Sequence, residues 1–87
     1  VDDKYTLDAN AVGGMLMEIF GSEMTGVGSR CAHCGNVAQM GSLRAYGVNG
    51  PGVVLRCSIC TEIVMRLMRR ADGSFLVDAR GASYLRL

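Results

Sequence analysis

The sequence predicts an α+β fold in which one N-terminal helix packs on a small antiparallel β-domain stapled through its cysteines. Three observations carry that prediction. Apolar residues recur with helical period over residues 12–20, and short runs rich in β-branched residues, separated by turn signals, fill residues 37–87. Four cysteines form two Cys-x2-Cys pairs, Cys31 with Cys34 and Cys57 with Cys60, separated by 22 residues.

Eighty-seven residues are enough for one domain spanning 1–87 and too few for two. A core of that size leaves a thin stability margin, and twelve glycines narrow it further. A staple is therefore expected. Apolar residues make up 49% of the chain, ordinary core material that argues against disorder.

Taken in chain order, residues 1–7 read as a flexible lead-in and residues 8–20 as the helix. Asp8 suits the helix start, where its carboxylate can accept from an early backbone N–H. Val12, Met15, Leu16, Ile19 and Phe20 follow at i, i+3, i+4, i+7 and i+8, and Gly21 is a good terminator. Gly13 and Gly14 weaken the helix by about 1 kcal/mol each, so it depends on packing its stripe against the β-domain.

Residues 21–30 read as a loop, with the β-domain assigned to 27–87. Within it, residues 37–40 and 43–48 are short extended segments, and Asn49-Gly50-Pro51-Gly52 is a turn. Val53–Arg56 reads as a strand leading into the second cysteine pair, and Glu62–Arg70 as a longer one. Asp72-Gly73 reads as a two-residue hairpin turn into Phe75–Ala79, and 82–87 as a last strand. No internal repeat is seen beyond the two cysteine pairs.

The cysteine spacing points to metal. Two cysteines three apart on a tight turn aim both sulfurs at one cation, and two such turns make the tetrahedral four-thiolate cage that Zn²⁺ prefers. Cys31, Cys34, Cys57 and Cys60 are thus the expected ligands of one structural Zn²⁺, and the β-domain is expected to be zinc-ribbon-like. Iron is the main rival, because a soft tetrahedral sulfur site also suits a rubredoxin-like electron carrier. Gly35 after Cys34 fits the backbone of such a knuckle; Thr61 after Cys60 lacks that freedom, so a somewhat different second knuckle is expected. His33, between the first two cysteines, reads as an exposed loop residue, since four thiolates close the site. Met15 and Met65 read as core, not as a copper site.

Other functions find less support. One histidine, no nucleophile–histidine–carboxylate set and no phosphate-binding glycine loop argue against an enzyme. No apolar run approaches a membrane span, and nothing resembles an export signal, so a cytoplasmic location with reduced thiols is expected. Charge is uneven. Residues 1–29 set five carboxylates against Lys4, whereas residues 30–87 set eight arginines against Glu62, Asp72 and Asp78. Arg44, Arg56, Arg66, Arg69, Arg70, Arg80 and Arg86, with Tyr46, Phe75 and Tyr84, would suit nucleic acid. The pI near 7.9 is low for a dedicated nucleic-acid binder, which leaves a protein-interaction or accessory role ahead.

The run "LDANAVGGMLMEIFGSEMT", followed by "CAHCG", "GVVLRCSIC", "VMRLMRR" and "DARGASYLRL", resembles a family of small bacterial proteins, common in actinobacteria, known only as a domain of unknown function. The resemblance covers nearly the whole chain. It implies a short helix before a zinc-ribbon-like β-domain, the ligands falling on Cys31, Cys34, Cys57 and Cys60, and no established activity. It also associates relatives with flavin or molybdenum oxidoreductases, which makes an oxidoreductase a candidate protein partner.

Overall fold

Eight strands and one helix make up the fold, which is described for residues 7–48 and 50–87 of a computed structural model. The strands are β1 (Leu7–Asp8), β2 (Gly28–Cys31), β3 (Val37–Gln39), β4 (Arg44–Tyr46), β5 (Gly52–Arg56), β6 (Ile63–Arg69), β7 (Phe75–Asp78) and β8 (Ala82–Arg86). They form two antiparallel sheets, one of five strands in the order β1-β4-β5-β6-β7 and one of three in the order β3-β2-β8. The predicted α+β class is what the structure shows. Its radius of gyration, 12.0 Å, matches the roughly 12 Å expected of one domain of this length.

The helical region begins as predicted at Asp8, whose carboxylate accepts from the Asn10 N–H at 3.2 Å. The first turn, Ala9–Val12, is a 3₁₀ turn, and the α-helix α1 runs from Gly13 to Phe20. Gly21 ends it in the left-handed region, its N–H bonded to the Met17 carbonyl at 2.8 Å. Val12 and Leu16 are buried, while Met15, Ile19 and Phe20 pack against the core from its edge.

In the larger sheet the alternation along strands sorts the two faces. Ala45, Val53, Leu55, Met65 and Leu67 point inward and are buried with Leu16, Met24 and Met40. Tyr46, Val54, Arg56, Arg66 and Met68 lie on the outer face. The helix joins the sheet through Leu16 in the core and through a Glu18–Arg69 ion pair at 3.3 Å on the surface.

Three sequence expectations need correction. Residues 28–31, read as the end of a loop, form β2, the centre of the three-stranded sheet. Gly-Ser-Arg-Cys has no strand-like composition, yet it alternates inward and outward, with Ser29 buried and its hydroxyl donating to the Ala38 carbonyl at 3.2 Å. Leu7, assigned to the lead-in, pairs with Ala45; residues 1–6 of that segment lie outside the described residues, as does Asn49 of the predicted turn. The β6–β7 hairpin loop is longer than two residues. Arg70 and Ser74 still pair at 2.8 Å, leaving Ala71-Asp72-Gly73 as a three-residue loop, with Asp72 accepting from the Ser74 N–H at 2.9 Å.

From β7 the chain crosses to the other sheet through Ala79, Arg80 and Gly81. Gly81 passes so close to β6 that a Cβ there would lie 2.7 Å from the Val64 Cα, and closer still to the Ile63 carbonyl. On its other side the Gly81 carbonyl accepts from the Ala32 N–H at 2.8 Å. One glycine thus fixes the distance between the sheets beside the cysteines.

Candidate metal centre

Each cysteine pair sits on the turn of a hairpin, and the two hairpins belong to different sheets. Cys31 and Cys34 lie between β2 and β3, Cys57 and Cys60 between β5 and β6. The two turns have the same hydrogen bonds. Gly35 N–H donates to the Cys31 carbonyl at 2.9 Å and Thr61 N–H to the Cys57 carbonyl at 3.0 Å. Cys31 N–H donates to Asn36 and Cys57 N–H to Glu62, both at 2.9 Å. Backbone N–H groups also point at sulfur in matching positions, His33 to Cys31 Sγ and Ile59 to Cys57 Sγ, each at 3.4 Å.

The four sulfurs converge. Their ligand atoms all lie within 4.8 Å of one another, and Cys31–Cys60 and Cys34–Cys57 are 3.6 and 3.7 Å apart. A tetrahedron of metal–sulfur bonds near 2.3 Å has edges of about 3.8 Å, so these separations suit a tetrahedral cation. Cys31 and Cys57, the first of each pair, are buried core members, while Cys34 and Cys60 close the site toward the surface. The sequence-predicted ligands are therefore brought together, all four of them. His33 supplies its backbone N–H and lies outside the cluster of four.

The second knuckle departs from expectation. Thr61 adopts φ 66°, alongside φ 77° at Gly35, so the turn keeps its shape and the strain falls on a β-branched residue. Two local bonds hold it there: Arg56 Nη1 donates to the Thr61 carbonyl at 2.9 Å, and the Thr61 hydroxyl to the Cys60 carbonyl at 2.6 Å. The arginine was legible as a pattern, since both pairs read Arg-Cys-x-x-Cys, with Arg30 and Arg56 at matching positions.

The electrostatics are those of a site with more negative charge than it can hold alone. Burial tends to raise the Cys31 thiol, but the backbone N–H groups of Cys34 and His33, helped by the neighbouring thiols, hold it down at about 7. At Cys60 the Glu62 N–H favours the thiolate. Burial and the thiols of Cys31, Cys34 and Cys57 outweigh it and push Cys60 up to about 12. Cys34 is also raised: the Asn36 N–H is outweighed by burial and the Cys57 thiol. The Cys31 thiolate is thus favoured, whereas Cys34 and Cys60 resist ionisation unless a cation lies among the sulfurs.

Beside the centre lies a cleft of about 400 Å³, lined in part by His33, Arg56, Glu62, Arg66 and the Asp78–Arg80 pair. Asp78 is held well below the usual carboxylate range, first by the Arg80 side chain that bonds both its oxygens and then by the Arg80 N–H. The predicted basic sheet is divided. Arg44, Arg56, Arg66 and Arg69 lie on the larger sheet, Arg86 on the smaller, and Arg70 and Arg80 in connections. No helix among the described residues is long and apolar enough to cross a membrane.

Neither the curated proteins nor the solved structures include a match to this chain. Over residues 2–87 it matches a family described only as a family of unknown function, DUF6510, and the chain belongs to that family.

Proposed function

We propose that this protein is a non-enzymatic, zinc-stabilised interaction module, in which Cys31, Cys34, Cys57 and Cys60 hold one structural Zn²⁺. The observation that carries the reading is the convergence of four sulfurs from two hairpins at tetrahedral spacing. Four thiolates leave no open coordination position, so the ion would serve the fold and not catalysis. The cleft beside the centre supports the non-enzymatic reading, because its Asp78 is committed to Arg80 and the chain has one histidine.

A protein partner is favoured over nucleic acid by how the basic and aromatic groups are used. Arg69 is paired with Glu18 and Arg80 with Asp78. Arg56 lies over the Tyr46 ring at 5.7 Å and Arg69 over Phe75 at 4.8 Å, so two rings suited to base stacking already carry a guanidinium. Exposed Met68, Leu76 and Val77 near the β7 edge offer apolar contact instead.

The test is elemental analysis with an absorption spectrum on untagged protein. One zinc per chain and no visible colour is the expected result. One iron per chain with thiolate charge-transfer bands would favour the electron-carrier reading, and metal-free protein with oxidised thiols would contradict both. Co-purification of a defined partner that survives high salt fits the interaction module, whereas salt-sensitive binding to DNA or RNA fits the alternative.

A further inference from the structure

The residue before each cysteine pair is an arginine, and the two side chains do corresponding things. On β2, Arg30 folds back over its own knuckle, with Nη2 3.3 Å and Nε 3.7 Å from where a Gly35 Cβ would stand. On β5, Arg56 folds back over the other knuckle and bonds the Thr61 carbonyl at 2.9 Å. Gly35 and Thr61 are equivalent, each directly following the second cysteine of its pair and each with positive φ. Each of the two knuckles that carry the four sulfurs therefore has a guanidinium group at a corresponding position beside it.

The charges make this arrangement consequential. Four thiolates around a divalent cation carry a net charge of about −2, in a site whose Cys31 and Cys57 are buried. Backbone N–H groups solvate the sulfurs but bring no net charge. Among the described residues neither Arg30 nor Arg56 forms an ion pair, unlike Arg69 and Arg80. Glu62, whose N–H serves Cys60, and Asp78, which is paired with Arg80, are the carboxylates that share the adjacent cleft with Arg56.

We propose that Arg30 and Arg56 are paired positioning residues whose positive charges compensate the anionic tetrathiolate centre and strengthen its hold on the metal. The inference rests on the metal reading given above. Arginine suits the task because its charge is permanent and its planar fork can lie flat over a turn. Arg56 is half-buried and Arg30 exposed, so solvent screens Arg30 more and its effect is the smaller.

The experiment measures zinc affinity of the full chain by competition with a chromophoric chelator, for wild type, Arg30→Gln, Arg56→Gln and the two lysine variants. Charge compensation predicts a loss of roughly tenfold for Arg56→Gln and about threefold for Arg30→Gln, with both lysine variants close to wild type. The Arg30 side chain forms no hydrogen bond among the described residues and is exposed, so Arg30→Gln leaves the fold's bonds in place and carries the test even if Arg56→Gln does not fold. Unchanged affinity in Arg30→Gln, with Arg56→Lys as weak as Arg56→Gln, would overturn the proposal and leave Arg56 as a brace for Thr61. Wild type that binds no zinc would overturn the metal reading itself, whereas wild type and glutamine variants that bind one zinc equally well would overturn this inference alone.

Discussion

Thr61 shows most clearly what the four-cysteine cluster demands of single residues. A β-branched side chain at φ 66° is strained by about 1–2 kcal/mol, and Thr61 is the one described non-glycine residue with positive φ. Its Oγ–Cys60 carbonyl bond and the Arg56 contact offset part of that strain. Thr61→Gly should therefore raise stability by about 1 kcal/mol, seen as a rise of roughly 4–8 °C in the melting temperature of metal-loaded protein. A lower melting temperature would show that the lost hydroxyl bond and the freer glycine backbone outweigh the strain, since the Arg56 bond to the residue 61 carbonyl is kept. The four cysteines were readable because ligand spacing is itself chemistry. Thr61 was not, because nothing in a threonine announces a left-handed backbone; only its place after Cys60 does. Asp78 makes a second prediction at this scale. Its folded pKa is depressed by Arg80, so its contribution is present above the unfolded value near 4 and fades as pH falls below it. In urea unfolding, Asp78→Asn should be less stable than wild type at pH 6, and the gap should narrow toward pH 3.

The helix and the strands depend on packing more than on their own propensity. Leu16 is the fully buried residue of α1, and its stripe was visible in the sequence as a 3.6-residue period. Leu16→Ala should cost about 2–5 kcal/mol, measured by denaturant unfolding. Gly14 is the opposite case. A Cβ there meets nothing within 4 Å and its φ is not positive, so Gly14→Ala should stabilise the protein by about 0.5–1 kcal/mol. Equal, near-zero effects of the two substitutions would mean that α1 is not docked on the sheet. The longer strands β5 and β6 were legible from β-branched and alternating residues. β2 was hidden, since Gly28, Ser29 and Arg30 resemble a loop. Its place comes from two partners, β3 and β8, the second more than fifty residues away in sequence. Local pattern does not report such non-local pairing.

At the scale of the molecule, two sheets meet at one cluster of sulfurs, and a metal there would act as a clasp. Gly81 sets the spacing on the same side, leaving no room for a Cβ against β6 and accepting from the Ala32 N–H with its carbonyl. A methyl group at 81 meets backbone on β6 that has no room to move, so Gly81→Ala should destabilise by about 3 kcal/mol or more and weaken metal retention along with the fold. Wild-type melting in that variant would show that the crossover can shift without disturbing the centre. The clasp itself is the central claim. Structural zinc contributes about 10–16 kcal/mol in small peptides, comparable with a small domain's entire stability. The most direct measurement is thermal unfolding of the purified protein with and without a strong chelator under reducing conditions, with zinc restored afterwards. The account predicts loss of the cooperative transition on chelation and its recovery on adding one equivalent of zinc. An unchanged transition in the chelated, fully reduced protein would contradict it.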